Sequence, residues 1–202
     1  MGERGAVDDD WHRCFIALEP DAATRDALAA LAVGPSARRV PIDQLHMTMA
    51  FLGSVAPEKG AALAQRLSSV ATPLPPQRAE RSEYWPSAAR PRLVVVPFGP
   101  AHGLAEIEAR IRALLAALGL PVDTHRPFRP HVTLARFARS THLAGPAREA
   151  AAGRAFPQTN LPPGGAMLEV VPRFEALTLY SSTLARHGAR YRSLASVPVP
   201  HA

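Results

Sequence analysis

Cysteine and long apolar runs are nearly absent from this chain of 202 residues. Cys14 is the single cysteine, so an intramolecular disulfide and a metal site made of several cysteines are both excluded. No apolar run approaches the roughly 18 residues that a membrane-spanning helix requires. Residues 1–10 also lack the basic end and the apolar stretch of a signal peptide. We therefore expect a cytoplasmic protein with no membrane attachment.

Lysine is equally scarce, which leaves the positive charge to arginine. The chain has 23 Lys and Arg residues, of which only Lys59 is lysine, against 17 Asp and Glu, for a net charge of +6. Such a charge suits an anionic partner such as RNA. However, the arginines are scattered, and together with 21 prolines and abundant alanine they also suit a genome-wide compositional preference. Charge alone leaves nucleic-acid binding open.

Several common cofactor and metal motifs are missing as well. The sequence contains no Gly-x-x-x-x-Gly-Lys phosphate loop, no Gly-x-Gly-x-x-Gly dinucleotide motif and no His-x-x-x-His metal pair. Lys59 opens a predicted helix and does not resemble the nucleophile of a ligase. We therefore expect no metal and no bound cofactor, and the sequence does not support ligation driven by ATP.

What is present is the composition of a folded domain. Hydrophobic residues make up 47% of the chain and charged residues 20%, near the averages of soluble globular proteins. At about 150 residues per domain, the length predicts one domain or two small lobes that share a core. We place a polar tail at 1–11, a single bilobal domain at 12–197 and a C-terminal tail at 198–202, and we expect a monomer.

Hydrophobic periodicity and turn signals predict strands interleaved with helices. Asp21 is a candidate helix N-cap, and Gly119 is a candidate glycine at a helix C-terminus. The predicted strands are 13–18, 45–51, 77–85, 92–96, 131–137, 166–171, 174–181 and 191–197. The predicted helices are 22–32, 57–71, 104–118 and 146–155, with a loop at 162–165. Short turns between several strands favour an α+β fold with mainly antiparallel sheets.

The most informative feature is a repeated tetrapeptide of the form His-x-Thr-x. Its two copies begin 85 residues apart and read His46-Met47-Thr48-Met49 and His131-Val132-Thr133-Leu134. Residues two apart in a strand share a face, so each copy presents an imidazole beside a hydroxyl. If both strands line one cleft, one histidine can accept a proton and the other donate one, while the threonines hold phosphate oxygens. The duplication favours phosphodiester chemistry that needs no metal, whereas a single copy is more often an incidental histidine.

The segments around the two motifs resemble those of a known family. The resemblance is carried by residues 13–18, 45–53, 128–136, 179–182 and 188–191. Together these segments span the chain from about residue 12 to residue 197. On these residues the chain resembles the 2H phosphoesterase superfamily, and in particular the LigT-like RNA 2′,3′-cyclic phosphodiesterases, also called 2′-5′ RNA ligases.

The resemblance implies a bilobal α+β fold with two pseudo-symmetric, mainly antiparallel sheets, helices packed outside and an active-site cleft between them. It also implies hydrolysis of a terminal RNA 2′,3′-cyclic phosphate to a 2′-phosphate without a metal. By the same carry-over, His46 is the proton donor, His131 is the proton acceptor, Thr48 and Thr133 hold the phosphate, and Arg136 contacts it. The residues themselves do not assign acid and base, because the two motifs are nearly equivalent.

Three arginines and two phenylalanines are candidates for substrate binding. Arg136 lies five residues after the motif histidine, so strict alternation places it on the opposite face unless the strand bends or the side chain reaches round from a loop. A surface salt bridge is the alternative role for Arg136. Arg126 and Arg129 are alternative ligands for a phosphate. Phe15 and Phe51 are candidates for stacking on a terminal base, although their apolar surroundings favour packing in the core.

Two other functions are open at this point. The same chemistry serves a small cyclic nucleotide phosphate or a 2′,5′-linked oligonucleotide, with weak 2′-5′ ligation as the reverse reaction. A non-catalytic RNA-binding module is the alternative of a different class, and the intact His and Thr of both motifs argue against it. The expected partner is therefore RNA with a 2′,3′-cyclic phosphate end, or a small cyclic nucleotide.

Overall fold

A computed structural model of the chain describes residues 11–34, 37–99, 102–123, 127–138, 167–185 and 188–201. The described residues form eight strands and three α-helices. The strands are β1 Cys14–Pro20, β2 Ala37–Arg39, β3 Met47–Gly53, β4 Glu83–Trp85, β5 Leu93–Pro97, β6 His131–Phe137, β7 Phe174–Ala185 and β8 Gly188–Pro198. The helices are α1 Ala22–Ala30, α2 Pro57–Arg66 and α3 His102–Ala117, and short 3-10 helices cover Ile42–Gln44 and Leu67–Val70.

All the strands belong to one sheet, in the order β4-β5-β6-β3-β1-β7-β8, with β2 also paired to β6. Every pairing between these strands is antiparallel. The two predicted sheets are joined where β3 meets β6 at one residue pair, Met47 with Val132. The α+β class and its antiparallel strands are therefore confirmed, and the two sheets are continuous with each other through this pair.

The helices form where their signals predict them. The Asp21 side chain accepts a hydrogen bond of 2.8 Å from the backbone N–H of Thr24, which caps α1. Gly119 follows α3 with φ of +59°, a conformation that costs glycine least. The apolar stripe of α3 is buried at Leu104, Ile107 and Ile111, so this helix closes the core against the sheet.

The structure corrects the predicted strand at 166–171. No strand forms in the part of this segment that is described, 167–171. Leu168 packs against the core, but Met167, Val170 and Val171 are exposed, so the segment lacks the alternating buried face that would favour a strand. Pro172 follows and cannot donate to a ladder. The predicted strand at 77–85 also shortens to β4, with only an isolated bridge from Ala79 to Phe98 before it.

The folded part includes residues from both predicted tails. Trp11 packs on the core, and its carbonyl accepts a hydrogen bond of 2.9 Å from the Val55 backbone N–H. At the other end Val199 is buried, and its backbone N–H bonds the carbonyl of Glu175. Residues 1–10 of the predicted tail at 1–11, the predicted helix at 146–155 and the loop at 162–165 lie outside the described residues. Strand β2 and the 3-10 helix before β3 were not predicted.

Candidate active site

The two motif histidines have the same hydrogen-bond environment. Nδ1 of His46 lies 2.7 Å from the carbonyl oxygen of Gln44, and Nδ1 of His131 lies 2.7 Å from the carbonyl oxygen of Arg129. A carbonyl only accepts, so Nδ1 carries the proton and donates in both cases. In each neutral imidazole, Nε2 is therefore left without a proton. Each histidine thus offers the same atom for proton transfer.

The junction between β3 and β6 brings the two motifs together. Met47 pairs with Val132, the middle residue of one motif with that of the other. If this antiparallel register is continued by one residue each way, His46 lies across from Thr133 and Thr48 lies across from His131. Met47 and Val132 are both 0% exposed and point to the core, so the histidines and threonines share the opposite face.

A bulge in β6 explains how Arg136 joins this face. Thr133 pairs with Val95 of β5 and Ala135 pairs with Val94, so Leu134 is an extra residue between two pairs. As a result His131, Thr133 and Arg136 lie opposite every second residue of β5. The bend that the sequence left open is therefore in the strand itself, and Arg136 lies on the same face as the imidazole.

Strand β3 has a matching bulge at Met49. Thr48 pairs with Ala17 of β1 and Ala50 pairs with Ile16, and Phe51 then pairs with Phe15. Thr48 and Phe51 therefore lie opposite alternate residues of β1, on the face of the cleft. Phe51 therefore does not pack in the core, although its apolar surroundings in the sequence favour this, because strict alternation does not continue through a bulge. Phe51 is 74% exposed.

The five polar candidates line one cavity of about 660 Å³. Phe15, Phe51 and Tyr191 line it as well. Its polar candidates are His46, Thr48, His131, Thr133 and Arg136. The structure thus brings the predicted site residues together, with two imidazoles, two hydroxyls and one guanidinium around a space that is large enough for a ligand.

Aromatic rings pack against the imidazole of His46. Phe15 is only 3% exposed, and its ring lies 5.1 Å from His46, 5.2 Å from Tyr180 and 5.0 Å from Tyr191. With its surface covered in this way, Phe15 packs in the protein rather than against a base, as its apolar surroundings suggest. Tyr191 also meets the His46 ring edge-on at 5.3 Å. The imidazole is thereby fixed in direction.

The ring of His131 also packs against an aromatic residue. The Trp85 ring lies 4.6 Å from the His131 ring, and the guanidinium of Arg129 lies 4.1 Å from the centre of the indole. These residues line a neighbouring cavity of about 390 Å³, which also contacts Thr48 and Phe51. Arg129 is therefore bound to an indole face, while Arg126 lies outside the described residues.

Burial lowers the pKa of both motif histidines below the ordinary value of 6.5. The positive charge of Arg136 also lowers both pKa values, and Arg129 further lowers that of His131. Glu19 acts in the other direction and raises the pKa of His46. Without a ligand, both histidines are therefore mainly neutral at pH 7.

Glu19 belongs to a polar network behind the site. Its carboxylate accepts hydrogen bonds from the hydroxyls of Thr178 and Tyr180, the latter at 2.7 Å. Burial and the bond to Glu19 raise the pKa of Tyr180, so this phenol stays protonated and donates. The Tyr180 ring in turn stacks on Phe15, which links the network to His46.

Sequence reasoning missed several residues of the cleft. Trp85 carries no motif, and although Tyr191 belongs to a segment that carries the family resemblance, nothing in the sequence indicates that either ring contacts a motif histidine. In the part of the chain that the structure describes, no group of three His, Cys, Asp or Glu side chains is placed to hold a metal ion. Likewise, no helix among the described residues is long and apolar enough to cross a membrane.

The match to a family model decides the relationship. Residues 19–171 match the model of the 2′-5′ RNA ligase superfamily. This chain belongs to the 2′-5′ RNA ligase superfamily. A relative in this superfamily, the RNA 2′,3′-cyclic phosphodiesterase of Escherichia coli strain K12, is 31% identical over 187 residues, which are 90% of this chain and 93% of the relative. The protein of the same name from Aeropyrum pernix is 30% identical over 130 residues, 60% of this chain and 68% of its own length.

Solved structures of this superfamily share the fold. Escherichia coli LigT complexed with 3′-AMP superposes with a TM-score of 0.64 at 25% identity, over 93% of this chain and 98% of LigT. LigT complexed with phosphate gives a TM-score of 0.62 at 27% identity, over 95% and 99% of the two chains. A crystal structure described as a phosphoesterase gives 0.68 at 26% identity, over 94% and 99%. The resemblance that the sequence predicts is therefore confirmed over nearly the whole chain.

Proposed function

We propose that this protein hydrolyses the terminal 2′,3′-cyclic phosphodiester of RNA to a 2′-phosphomonoester. The observation that carries the proposal is the pair of histidines, each with Nδ1–H bonded to a carbonyl and both lining one cavity with two threonines and Arg136. The names of the two relatives, RNA 2′,3′-cyclic phosphodiesterase, support the same activity.

The proposed reaction needs one neutral and one protonated histidine. Nε2 of neutral His131 takes a proton from water as the water oxygen forms a bond to phosphorus. The bond between phosphorus and O3′ breaks, and protonated His46 gives its Nε2 proton to O3′. The products are a 2′-phosphomonoester and a free 3′-hydroxyl. The charges of the two histidines are then exchanged, and both return to their starting states by proton exchange with solvent.

The environments of the two histidines support this assignment. Arg129 and Arg136 both disfavour the protonated form of His131, which suits a base. Burial and Arg136 also lower the pKa of His46, but Glu19 opposes them there and has no counterpart at His131, so His46 is the better candidate for the acid. An anionic cyclic phosphate between them raises the pKa of both imidazoles, so the protonated form of His46 becomes more populated when substrate binds.

The remaining cleft residues have roles that fit a phosphate ester. The hydroxyls of Thr48 and Thr133 donate to the non-bridging oxygens, and the Arg136 guanidinium balances the charge that grows on them. Phe51 offers an exposed ring at the edge of the cavity, where the terminal base can stack. Phe15 positions His46 instead of contacting the substrate.

Product analysis tests this proposal. The purified chain is incubated with a short RNA that ends in a 2′,3′-cyclic phosphate, with and without EDTA, and the terminal product is identified. We expect a 2′-phosphate in equal yield under both conditions. A 3′-phosphate product, or activity lost with EDTA and restored by a divalent metal, would overturn the proposed chemistry. RNA binding with no turnover would instead indicate the non-catalytic module.

A further inference from the structure

A groove lined by arginines continues from the catalytic cavity. This arginine groove has a volume of about 220 Å³ and lies between β2, the end of β6 and the start of β8. It shares Val40, Gln44, Arg136, Ala189 and Tyr191 with the catalytic cavity, so the two spaces adjoin each other. Its charged lining consists of Arg38, Arg39, Arg136 and Arg190, and no carboxylate lines it among the described residues.

The arginines of the groove differ in their partners. Arg39 donates from Nη1 and Nη2 to the carbonyls of Ala29 and Leu31, at 2.9 and 2.7 Å, and so serves the end of α1. Within the described part of the chain, Arg38, Arg136 and Arg190 make no ion pair. Three cations around one groove therefore lack a countercharge among the residues that the structure describes.

The strand register places two of these charges side by side. Arg38 of β2 pairs directly with Arg136 of β6. Like charges opposite one another destabilise a sheet. Arg38 also lies against the first residue of β8, because a Cβ on Gly188 would approach Arg38 Nη2 to 3.2 Å. Gly188 has φ of +128°, a backbone conformation that glycine adopts without strain. Because glycine has no Cβ, the Arg38 guanidinium can lie close to the backbone at this position.

We infer that Arg38 and Arg190 bind the phosphodiester on the 5′ side of the terminal nucleotide of an RNA. This inference rests on the proposed function. With the cyclic phosphate held between the histidines, the 5′ oxygen of the same ribose leads to the next phosphate, and the arginine groove adjoins the cavity where that phosphate can lie. Exposed Phe51 and half-buried Tyr191 flank the cavity, and such rings beside a basic groove are typical of single-strand binding. The substrate class is thus an oligonucleotide rather than a lone cyclic nucleotide.

A comparison of two substrates tests the inference. The substrates are adenosine 2′,3′-cyclic phosphate and the dinucleotide ApA with a 2′,3′-cyclic phosphate, which adds one 5′ phosphodiester. The measured quantity is the ratio of kcat/KM for the dinucleotide to kcat/KM for the mononucleotide. We expect this ratio to fall about tenfold in Arg38→Ala and in Arg190→Ala, the size of a charge-assisted hydrogen bond. Arg66→Ala, which removes the same charge from the exposed end of α2, leaves the ratio unchanged.

Binding gives a readout that does not depend on hydrolysis. The probe is fluorescein-labelled hexauridylate, and its affinity is measured by anisotropy at several salt concentrations. Loss of one phosphate contact reduces the slope of log affinity against log salt by about 0.7. We expect this reduction in Arg38→Ala and Arg190→Ala but not in Arg66→Ala. Unchanged slopes and an unchanged substrate ratio overturn the inference. A protein that hydrolyses neither substrate overturns the proposed function, and the salt slopes then show by themselves whether Arg38 and Arg190 bind RNA phosphates.

Discussion

The backbone carbonyls of Gln44 and Arg129 determine what each motif histidine can do. They hold the proton of the neutral imidazole on Nδ1, so proton transfer occurs at Nε2 in both residues. Because the two bonds have the same length, the difference between acid and base comes from the rest of the environment. Arg136 lowers the pKa of both histidines, whereas Arg129 lowers only that of His131 and Glu19 raises only that of His46.

The lowered pKa values predict an acidic optimum for the free enzyme. The pH profile of kcat/KM reflects one protonated and one neutral histidine, and it peaks midway between the two pKa values of the pair. Burial and Arg136 lower both pKa values from 6.5, so the midpoint lies below pH 6.5. Bound cyclic phosphate raises both pKa values, and the optimum of kcat therefore lies at higher pH.

Initial rates with a cyclic-phosphate RNA between pH 4.5 and 9 check both optima. Arg136→Ala removes a positive charge that acts on both histidines, and its kcat/KM optimum is expected to move to higher pH. A flat profile across this range would contradict a mechanism based on two histidines.

The bulges at Met49 and Leu134 are the elements that shape the cleft. Each adds one residue directly after a motif threonine, so the fifth residue after each histidine faces the cleft. In one motif this residue is Phe51 and in the other it is Arg136. Equivalent positions of the two halves therefore supply an aromatic ring on one side and a cation on the other.

Removing the cation of Arg136 should impair catalysis without unfolding the protein. We expect Arg136→Ala to lower kcat/KM about 10- to 100-fold, because a hydrogen bond to a charged group contributes about 1.5–3 kcal/mol. Arg136 is exposed, so the unfolding midpoint in urea should stay close to that of the wild type. Arg66→Ala is the matched control, and equal activities of the two variants would remove Arg136 from the site.

The bulges also mark where sequence reasoning reaches its limit. Regular apolar periods in the sequence predict β6 at 131–137 and α3 at 104–118, and the structure has these elements at His131–Phe137 and His102–Ala117. Nothing in the residue types at Met49 or Leu134 distinguishes a bulge from a regular strand, so strict alternation puts both Phe51 and Arg136 on the face opposite to the cleft. The pairing of the three-residue β2 with β6 depends on contacts that are distant in sequence and carries no local signal.

At the scale of the whole molecule, the two motifs meet only where β3 pairs with β6. The single pair of Met47 and Val132 connects the two parts of the sheet and lies directly beneath the catalytic face. The motifs were predictable because they repeat in sequence. By contrast, the arginine groove combines residues of β2, β6 and β8, and only the folded chain brings these together.

Packing at this junction should contribute measurably to stability. Met47 is fully buried, so Met47→Ala is expected to lower the free energy of unfolding by about 2–5 kcal/mol. Met47→Leu conserves volume and is expected to cost less than about 1.5 kcal/mol. Urea denaturation measures both values. Equal stability of Met47→Ala and the wild type would show that the junction is not a packed part of the core.

Replacement of the motif histidines by asparagine tests the central claim most directly. In His46→Asn and His131→Asn, the amide N–H can still donate to the carbonyl that Nδ1 bonds, while Nε2 is lost. With a cyclic-phosphate RNA, we predict that kcat falls about 10²- to 10⁴-fold in each variant, while the unfolding midpoint stays near the wild-type value. His201→Asn, at an exposed residue outside the cleft, keeps the wild-type rate. Wild-type kcat in either motif variant would contradict two-histidine catalysis.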